Sequence, residues 1–356
     1  MGSQEDDDFL SAFGITRMIG VQLALRAAVE LNVFTIIANS NSPEAQLTAK
    51  EIVAKIPTTN PNAAMALEKI LNLLASYSIL SASPRTSLSD GKRPEKAYGL
   101  TKQSRRLALD NGGVSLASVL LFGSEREIVD SFYTLKDAVL EQSYKGYNKA
   151  NGETFFESLR RKPGLNKLFN DNMSICSKVM LEQVLRVYRG FEEVEELMDV
   201  GGGIGTSLEK IVSAYPHIHG INMDLPHVIA NATTIAGVKH IAGDMFEPLP
   251  AAQTIFLKWV LHDWDDDWCI KILRNCWKAL PENGKVIVVE FAVSEDCNES
   301  VHTTFMELMM MVLNLGGKER TTVELDWIAK AAGFAQTITF PTHKLGFYVI
   351  EFIKKT

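Results

Sequence analysis

A glycine-rich turn between two short apolar runs constrains the fold of this chain more than any other stretch. Residues 197–200 form an apolar run of strand length, and glycines occupy 201–203 and 205. Glycine permits a tight turn and lets a ligand approach bare backbone. Apolar residues then recur at helical spacing, and a second apolar run ends in Asp224. This order of strand, loop, helix, strand and acid predicts the first unit of a nucleotide-binding α/β sheet.

The spacing of these glycines indicates which ligand the loop holds. Dinucleotide-binding folds carry G-x-G-x-x-G, whereas Thr206 stands here where the third glycine would be. No Lys-Ser or Lys-Thr pair follows the loop, as a P-loop would require. Asp199, directly before the glycines, would repel a pyrophosphate but suits a cationic ligand without phosphate. We therefore predict S-adenosylmethionine, with an ordinary strand-to-helix turn as the alternative.

Composition and charge narrow the class of protein. The 356 residues suffice for two domains, and 46% hydrophobic with 22% charged residues is typical of a globular protein. A net charge of -7 disfavours nucleic acid or an anionic membrane as a partner. The four cysteines lack metal-type spacing, and the acidic N-terminus does not resemble a targeting signal. We expect a cytoplasmic protein without a metal.

The N-terminal part predicts a mostly helical, winged-helix-like domain over residues 1–115. Residues 9–38 read as a helix that is apolar on more than one face, which is typical of a helix buried between subunits. Two helices follow, and then two strands, 79–83 and 97–100, around a polar loop. The helix that would read DNA carries one basic residue, Lys69, whereas DNA recognition needs several cations. We therefore assign this domain a structural role.

The C-terminal part, residues 116–356, predicts a helical lead-in over 116–190 and a Rossmann-like α/β core over 191–356. The lead-in pattern contains a polar break at 148–152 and two helices split near Pro163. Strands alternate with helices in the core, which predicts a parallel sheet. After Asp224 the predicted elements are a helix over 226–236, strands ending at 241 and 259, a helix over 266–279, a strand over 285–291, helices over 303–313 and 322–332, and two closing strands.

Six motifs in a fixed order identify a family resemblance. They are DVGGGIG (199–205), INMDLPHVI (221–229), GDMF (243–246), LKWVLHDW (257–264), NGKVIVVE (283–290) and GGKERT (316–321). With them the chain resembles the plant caffeic-acid-type (class II) O-methyltransferases, which methylate small phenolics with S-adenosyl-L-methionine and release S-adenosyl-L-homocysteine. The segment MIGVQLALRAAVELNVF resembles the dimerisation segment of that family. The resemblance therefore implies a homodimer formed through N-terminal helices.

The predicted cofactor residues lie at strand ends, where open α/β sheets bind ligands. Gly201 would let the methionine portion approach the backbone, and Asp224 would accept hydrogen bonds from the ribose hydroxyls. Asp244 would face the adenine amine with Met245 packed on the ring; a turn cap is the alternative for Asp244. The resemblance further implies that Leu225 and Lys258 line the cofactor pocket.

His262, which follows the strand ending near Trp259, is the candidate base. A phenol has a pKa of about 10, so little phenolate exists at neutral pH. A neutral imidazole within reach can remove the proton while the methyl group moves. The resemblance places Glu290 and Glu319 beside the imidazole, as residues that orient it. A structural histidine, and an ion pair of Glu319 with a neighbouring cation, are the alternatives.

The acceptor site is implied by the resemblance and departs from the caffeic-acid pattern. Positions that grip the phenolic ring or lie near its oxygens in the family correspond to Phe169, Met173, Asp263, Met309, Met310 and Asn314. Relatives that act on monolignol precursors carry Met-Asn where this chain has Phe122-Gly123, and His in place of Cys176. Both changes remove polar contacts. A bulkier or less polar phenol is therefore expected, such as a coumarin, flavonoid, lignan or alkaloid.

Two other functions fit parts of the pattern. An N-methyltransferase on an aromatic amine would share the cofactor site but would not need the histidine base. A non-catalytic regulator that senses the cofactor through its winged helix is disfavoured by the acidic net charge. We predict an O-methyltransferase of plant phenylpropanoids or related specialised metabolites.

Overall fold

A computed structural model describes two compact units of this chain. The described residues are 4–40, 42, 45–85, 95–109, 114–293, 300–314, 316–342 and 346–355. The units are Met1–Glu125 and Arg126–Thr356. The division between them falls after Glu125, whereas the sequence placed a boundary after residue 115.

The first unit combines helices with a small antiparallel sheet. Its helices, among the described residues, are α1 (Gln4–Ile15), α2 (Met18–Glu30), α3 (Val33–Ala38), α4 (Ala49–Val53), α5 (Ala63–Ser76) and α6 (Ala117–Gly123). Its strands are β1 (Leu47–Thr48), β2 (Leu80–Arg85) and β3 (Glu95–Leu100), which pair in the order β1-β3-β2. The two strands predicted for the wing correspond to β2 and β3. The two-residue β1 is too short to leave a pattern in the sequence.

The helix predicted over 9–38 is wrong as a single helix. It is divided into α1, α2 and α3, and Asn32 between the last two adopts a left-handed φ of 55°. The core of this unit forms where α3, α4 and α5 bury Phe34, Ile52 and Leu71. In contrast, several large apolar side chains of α1 and α2 are exposed in the single chain: Phe9, Phe13, Ile15, Met18, Ile19 and Leu23.

The second unit begins with helices and continues as an α/β sheet. The helices that precede the sheet are α7 (Arg126–Phe132), α8 (Leu135–Leu140), α9 (Gly146–Asn151), α10 (Phe155–Arg161) and α11 (Pro163–Val187). The strands are β4 (Glu196–Val200), β5 (His219–Asp224), β6 (Val238–Ala242), β7 (Thr254–Lys258), β8 (Lys285–Phe291), β9 (Gln336–Pro341) and β10 (Phe347–Ile353). The helices between strands are α12 (Thr206–Ala214), α13 (Pro226–Ile229), α14 (Asp266–Ala279), α15 (Val301–Leu313) and α16 (Thr322–Ala332).

The sheet is mixed, with the strand order β6-β5-β4-β7-β8-β10-β9. Strands β4 to β8 pair in parallel, as the alternation of elements predicts. The prediction of a parallel sheet is wrong for β10, which runs antiparallel to both of its neighbours, β8 and β9. The connection from β9 to β10 is too short for the crossover that parallel strands need. The carboxyl ends of β4, β5, β7 and β8 consequently meet at one edge.

Helices cover both faces of this sheet. Alternate residues of β8 point to opposite sides: Val286 and Val288 pack in a core with α14 and α16, and Ile287 and Val289 in a core with α11 and α12. Such a sheet is buried on both faces, as parallel sheets usually are. Function is therefore confined to the edges of the sheet.

Three local predictions can be compared with the second unit. The helix start at Pro163 is confirmed, since proline occupies the first turn of α11. The polar break at 148–152 is wrong, because α9 extends through Asn151 and only the capping residue Gly152, with a φ of 79°, lies outside it. The helix predicted over 226–236 ends at Ile229. Among the described residues, no helix is long and apolar enough to cross a membrane.

Candidate active site

A cleft opens at the carboxyl edge of the sheet. The glycine loop after β4, the ends of β5 and β7, and the helix α11 line it. Its empty volume is about 1350 Å³, counted to its open mouth. Carboxyl ends of strands are the expected ligand site of an open α/β sheet.

The glycine loop has a backbone that other residues would strain. Gly201, Gly203 and Gly205 have φ values of 73°, 61° and 92°, which glycine adopts readily. At Gly202, a Cβ atom would lie 2.1 Å from Oδ1 of Asn222. Asn222 also donates from Nδ2 to the carbonyl of Gly203 over 2.9 Å, which holds the loop against β5. The loop therefore presents bare backbone to the cleft.

Asp224 closes the loop on the other side. Its Oδ2 accepts a hydrogen bond from the amide of Gly203 over 2.8 Å, and its Oδ1 accepts from Leu225 over 2.7 Å. Burial raises the pKa of Asp224, against the effect of these two amides. Leu225, Asp244 and Met245 line the same cleft. Asp244 also accepts from the amide of Phe246, so the turn cap considered in the sequence is present in a residue that still faces the cleft.

Asp199 and Lys258 form the buried floor of the cleft. Burial raises the pKa of Asp199 to about 7, and the nearby ammonium of Lys258 opposes this shift. Burial lowers the pKa of Lys258, whose Nζ lies 4.5 Å from the ring centroid of Trp259. Within the described residues, Oδ2 of Asp199 has no hydrogen-bond partner. A buried oxygen that lacks a partner at a cleft suits a ligand that donates a hydrogen bond or carries positive charge. The sequence argument used the charge of Asp199 but did not place it in the site.

His262 lies on a 3-10 turn, Leu261–Asp263, directly after β7. It is 5% exposed, and its Nδ1 lies 2.8 Å from Oε1 of Glu319. Its Nε2 lies 3.7 Å from Oδ1 of Asp263, which lines the cleft, whereas His262 itself is not among the lining residues. Trp259, at the start of this loop, has a left-handed φ of 55° and stacks on the imidazole. Such a φ is strained for a bulky residue and is typical of functional loops.

Glu290 supports the same turn from the end of β8. Its Oε1 accepts from the amides of Val260 and Leu261 over 2.9 and 2.8 Å. Its Oε2 lies 3.7 Å from Nδ1 of His262. The alternative ion pair of Glu319 with an adjacent cation is not formed, because Lys318 and the neighbouring arginine contact Asp266 instead. The structure thus brings His262, Glu290 and Glu319 together from three separate segments.

The carboxylates around His262 change its protonation. Burial lowers the pKa of His262, but the charges of Glu319, Glu290 and Asp263 outweigh burial and raise it to about 10. Burial raises the pKa of Glu290 to about 7 and that of Asp263 to about 6. A neutral imidazole was predicted as the base, whereas these carboxylates favour the imidazolium at neutral pH.

The predicted acceptor residues fall into three groups. Phe169, Met173 and Asp263 line the cleft. Asn314 donates from Nδ2 to Oδ1 of Asp263 over 2.5 Å and lies behind it. Met309 and Met310 on α15 are buried and do not line the cleft. Phe122 belongs to the first unit, where it is buried on α6, so its role stays a prediction.

An aromatic pair in the cleft was missed by the sequence argument. The rings of Phe156 and Trp264 stack with centroids 5.8 Å apart and 9° between their planes, and both residues line the cleft. Trp264 lies within the LKWVLHDW motif, two positions after His262. The aromatic residues of that motif were the available signal, but nothing local linked them to Phe156.

Comparison with known proteins adds independent findings. A model of the O-methyltransferase domain matches residues 132–335, and a model of the O-methyltransferase dimerisation domain matches residues 16–110. The (S)-scoulerine 9-O-methyltransferase of Coptis japonica is 50% identical, over 99% of this chain and 91% of that protein. The caffeic acid 3-O-methyltransferase of Medicago sativa is 43% identical, over 94% and 91%. The structure of human N-acetylserotonin methyltransferase in complex with S-adenosylmethionine superposes with a TM-score of 0.86 over all of both chains; its 24% identity shows the fold alone.

The electrostatics of His262 can be tested directly. Glu319→Gln removes a contacting carboxylate and keeps its shape, so the pKa of the imidazole is expected to fall from about 10 toward its ordinary value. Proton NMR titration of the ring in the folded protein measures this change. Glu282→Gln, at an exposed position before β8, is the control and should leave the titration unchanged. A wild-type pKa at or below 6.5 would contradict the geometry.

Proposed function

The chain belongs to the O-methyltransferase family, and we propose that it transfers the methyl group of S-adenosyl-L-methionine to a phenolic hydroxyl of a plant specialised metabolite, with His262 as the general base. One observation carries the assignment of the base: Glu319 holds Nδ1 of a buried imidazole beside the glycine-loop cleft. The product of the cofactor is S-adenosyl-L-homocysteine.

The cofactor site is proposed from residues that line one cleft. When bound, S-adenosylmethionine supplies an electrophilic methyl group on a cationic sulfonium. The backbone at Gly201 accommodates the methionine portion, and Asp224 accepts hydrogen bonds from the ribose. Asp244 and Met245 hold the adenine, and Leu225 and Lys258 complete the pocket. The unpartnered oxygen of Asp199 and the lack of any P-loop pattern both support a cationic ligand without phosphate.

The proton path follows from the contacts of the imidazole. A neutral His262 donates from Nδ1 to Glu319, which leaves the lone pair of Nε2 as the acceptor. Nε2 takes the phenolic proton, and Glu319 and Glu290 stabilise the imidazolium that forms. The pKa of His262, about 10 without ligand, is close to the value of about 10 for a phenol. The surrounding carboxylates thus make this imidazole a stronger proton acceptor than an ordinary histidine.

His262 must first lose its extra proton. Because a like charge disfavours a charged form, the pKa of the imidazolium falls when a second positive charge occupies the same cleft. The imidazole is therefore neutral, and able to accept a proton, only when the cationic methyl donor is bound. This order of events would protect the site from removing protons before the methyl donor is present.

The acceptor is proposed to be an aromatic phenol held against the apolar wall of the cleft. Phe169, Met173 and the stacked pair of Phe156 and Trp264 fit a planar ring, and Asp263 fits a ring oxygen. Asn314 orients Asp263, and Met309, Met310 and Phe122 are proposed as surrounding contacts. The names of the relatives point to an alkaloid or a phenylpropanoid; coumarins, flavonoids and lignans belong to the same chemical range.

The general-base role predicts a particular response to pH. His262→Ala should lower turnover by about 10²–10⁴, the usual share of general-base catalysis. It should not weaken cofactor binding, because no cofactor contact is lost and a like charge is removed from the cleft. Above the pKa of His262 in the loaded enzyme, the wild-type rate is level, whereas the variant gains phenolate with each unit of pH. The deficit should therefore shrink toward the pKa of the phenol, as steady-state rates between neutral and alkaline pH would show.

His217→Ala, an exposed histidine before β5, is the matched control and should behave as wild type. A deficit in His262→Ala that is independent of pH, with a raised Michaelis constant for the acceptor, would instead assign His262 to packing under the acceptor.

A homodimer is proposed from the first unit. Exposed side chains of α1 and α2, such as Phe9, Ile15 and Met18, form an apolar surface of a kind that monomers rarely expose. The dimerisation-domain match, over residues 16–110, includes α2 but not α1. We further propose that residues 1–115 form a dimerisation domain and residues 116–356 a catalytic domain. The protein is proposed to be cytoplasmic and to bind neither nucleic acid nor a membrane.

Light scattering at micromolar concentration should give the mass of a dimer, because a single chain would leave this surface in water. Ile15→Glu and Met18→Glu together should shift the mass toward a monomer, and Val323→Glu on the exposed face of α16 should not. A wild-type monomer at this concentration would refute the proposal.

Two alternatives remain separable by experiment. An N-methyltransferase would methylate aromatic amines and would tolerate His262→Ala.

The nitrogen and carboxylate oxygens of His262, Glu290 and Glu319 also lie within 4.8 Å of one another, close enough to share a metal ion. The 2.8 Å between Nδ1 and Oε1 is a hydrogen-bond distance, which supports the base.

A further inference from the structure

We propose that Arg320, assisted by Cys269, is a positioning residue that holds the turn carrying His262 from behind. The inference rests on the proposed role of His262 as the base. Arg320 is 2% exposed and is among the largest fully buried side chains in the described parts of the chain. Burial of a guanidinium costs desolvation free energy, which its hydrogen bonds must offset. The partners of those hydrogen bonds therefore indicate the role of the residue.

The guanidinium donates hydrogen bonds to the turn and to one carboxylate. One terminal nitrogen donates to the carbonyl of Leu261 over 2.9 Å, and the other donates to the carbonyl of Trp264 over 2.8 Å. These residues flank His262, one position before it and two after it. The ε nitrogen and a terminal nitrogen also bind Oδ1 of Asp266, over 2.9 and 2.7 Å. One rigid, planar group thus fixes both sides of the turn at once.

The segment around Arg320 contacts the base in two further ways. The amide of Lys318 donates to the carbonyl of His262 over 3.0 Å. The side chain of Glu319, the next residue, contacts Nδ1 of the same histidine. Arg320 itself pairs by its backbone with the chain after β8, at Ala292 and Val293. Three consecutive residues, 318–320, therefore contact the turn: one at the backbone of His262, one at its imidazole and one at the two flanking carbonyls.

A second donor reaches the same two carbonyls from α14. The thiol of Cys269 lies 3.1 Å from the carbonyl of Leu261 and 3.6 Å from that of Trp264. Cys269 is fully buried, and the turn is thereby held by two independent elements. If this clamp loosens, Nδ1 is free to move away from Glu319, and the carboxylate stabilises the imidazolium less.

Arg320→Lys is the sharpest test, because it keeps the charge but cannot span two carbonyls. The pKa of the His262 ring, followed by proton NMR in the free protein, should fall relative to wild type. With S-adenosylmethionine and either (S)-scoulerine or caffeic acid as acceptor, turnover should fall by about 10- to 100-fold, as expected for a small misplacement of a catalytic group. Cofactor affinity measured by calorimetry should stay within about twofold, because Arg320 does not line the cleft.

Arg274→Lys is the matched control: the same exchange at an exposed arginine of α14, whose guanidinium donates to the carbonyl of Ala331 outside the turn, and it should change none of these values. If Arg320→Lys does not fold, Cys269→Ala should lower the pKa of the ring by a smaller amount, and Cys269→Ser should restore it. If Arg320→Lys folds and its His262 ring titrates as in wild type, the proposal is overturned. If Arg320→Lys does not fold, a wild-type titration of the ring in Cys269→Ala overturns it. Since the titration needs no turnover, it separates this inference from the proposed reaction, which fails if His262→Ala keeps full activity.

Discussion

The buried hydrogen bond between His262 and Glu319 is the interaction on which the rest of the site depends. It engages Nδ1 and leaves Nε2, the nitrogen that we propose takes the phenolic proton. The bond exists because β7 and β8 end side by side in a parallel sheet, while the chain returns before α16 to place a carboxylate against the turn. The contact between His262 and Glu319 therefore depends on the fold, since a shift of any of these three segments would change it.

The same arrangement concentrates negative charge in a place from which water is largely excluded. Three carboxylates surround one imidazole, and burial keeps the pKa of two of them high while their charges raise the pKa of the imidazole. The raised pKa suits the proposed role of His262 as a base toward a phenol better than toward a group of much higher pKa. A cationic methyl donor is a natural partner for such a cleft, because it supplies the opposite charge and lowers the affinity of the base for its extra proton.

Local signals in the sequence sufficed for much of this structure. The bounds of α14, β8 and α16 match the predicted ones, because capping side chains and strong apolar periodicity mark their ends. The direction of β10 could not be read, since it depends on a short connection rather than on the residues within the strand. The amphipathic pattern of α9 was too short and too polar to stand out. Contacts between distant segments, such as the stack of Phe156 on Trp264, leave no local pattern.

The protonation of His262 shows the same limit for chemistry. Its position after a strand was readable, but its pKa depends on carboxylates that reach it from β8 and from the segment before α16. Arg320, which we propose as a positioning residue, likewise gives no signal in a motif, because the carbonyls that its guanidinium contacts are known only from the fold.

A crystal structure with S-adenosyl-L-homocysteine and an unmethylated phenolic acceptor tests the central claim most directly. The account predicts that the reacting phenolic oxygen lies within hydrogen-bond distance of Nε2 of His262, with Nδ1 still on Glu319 and the ribose on Asp224. An oxygen that lies out of reach of Nε2 and contacts another side chain, in a complex with both ligands ordered, would contradict it.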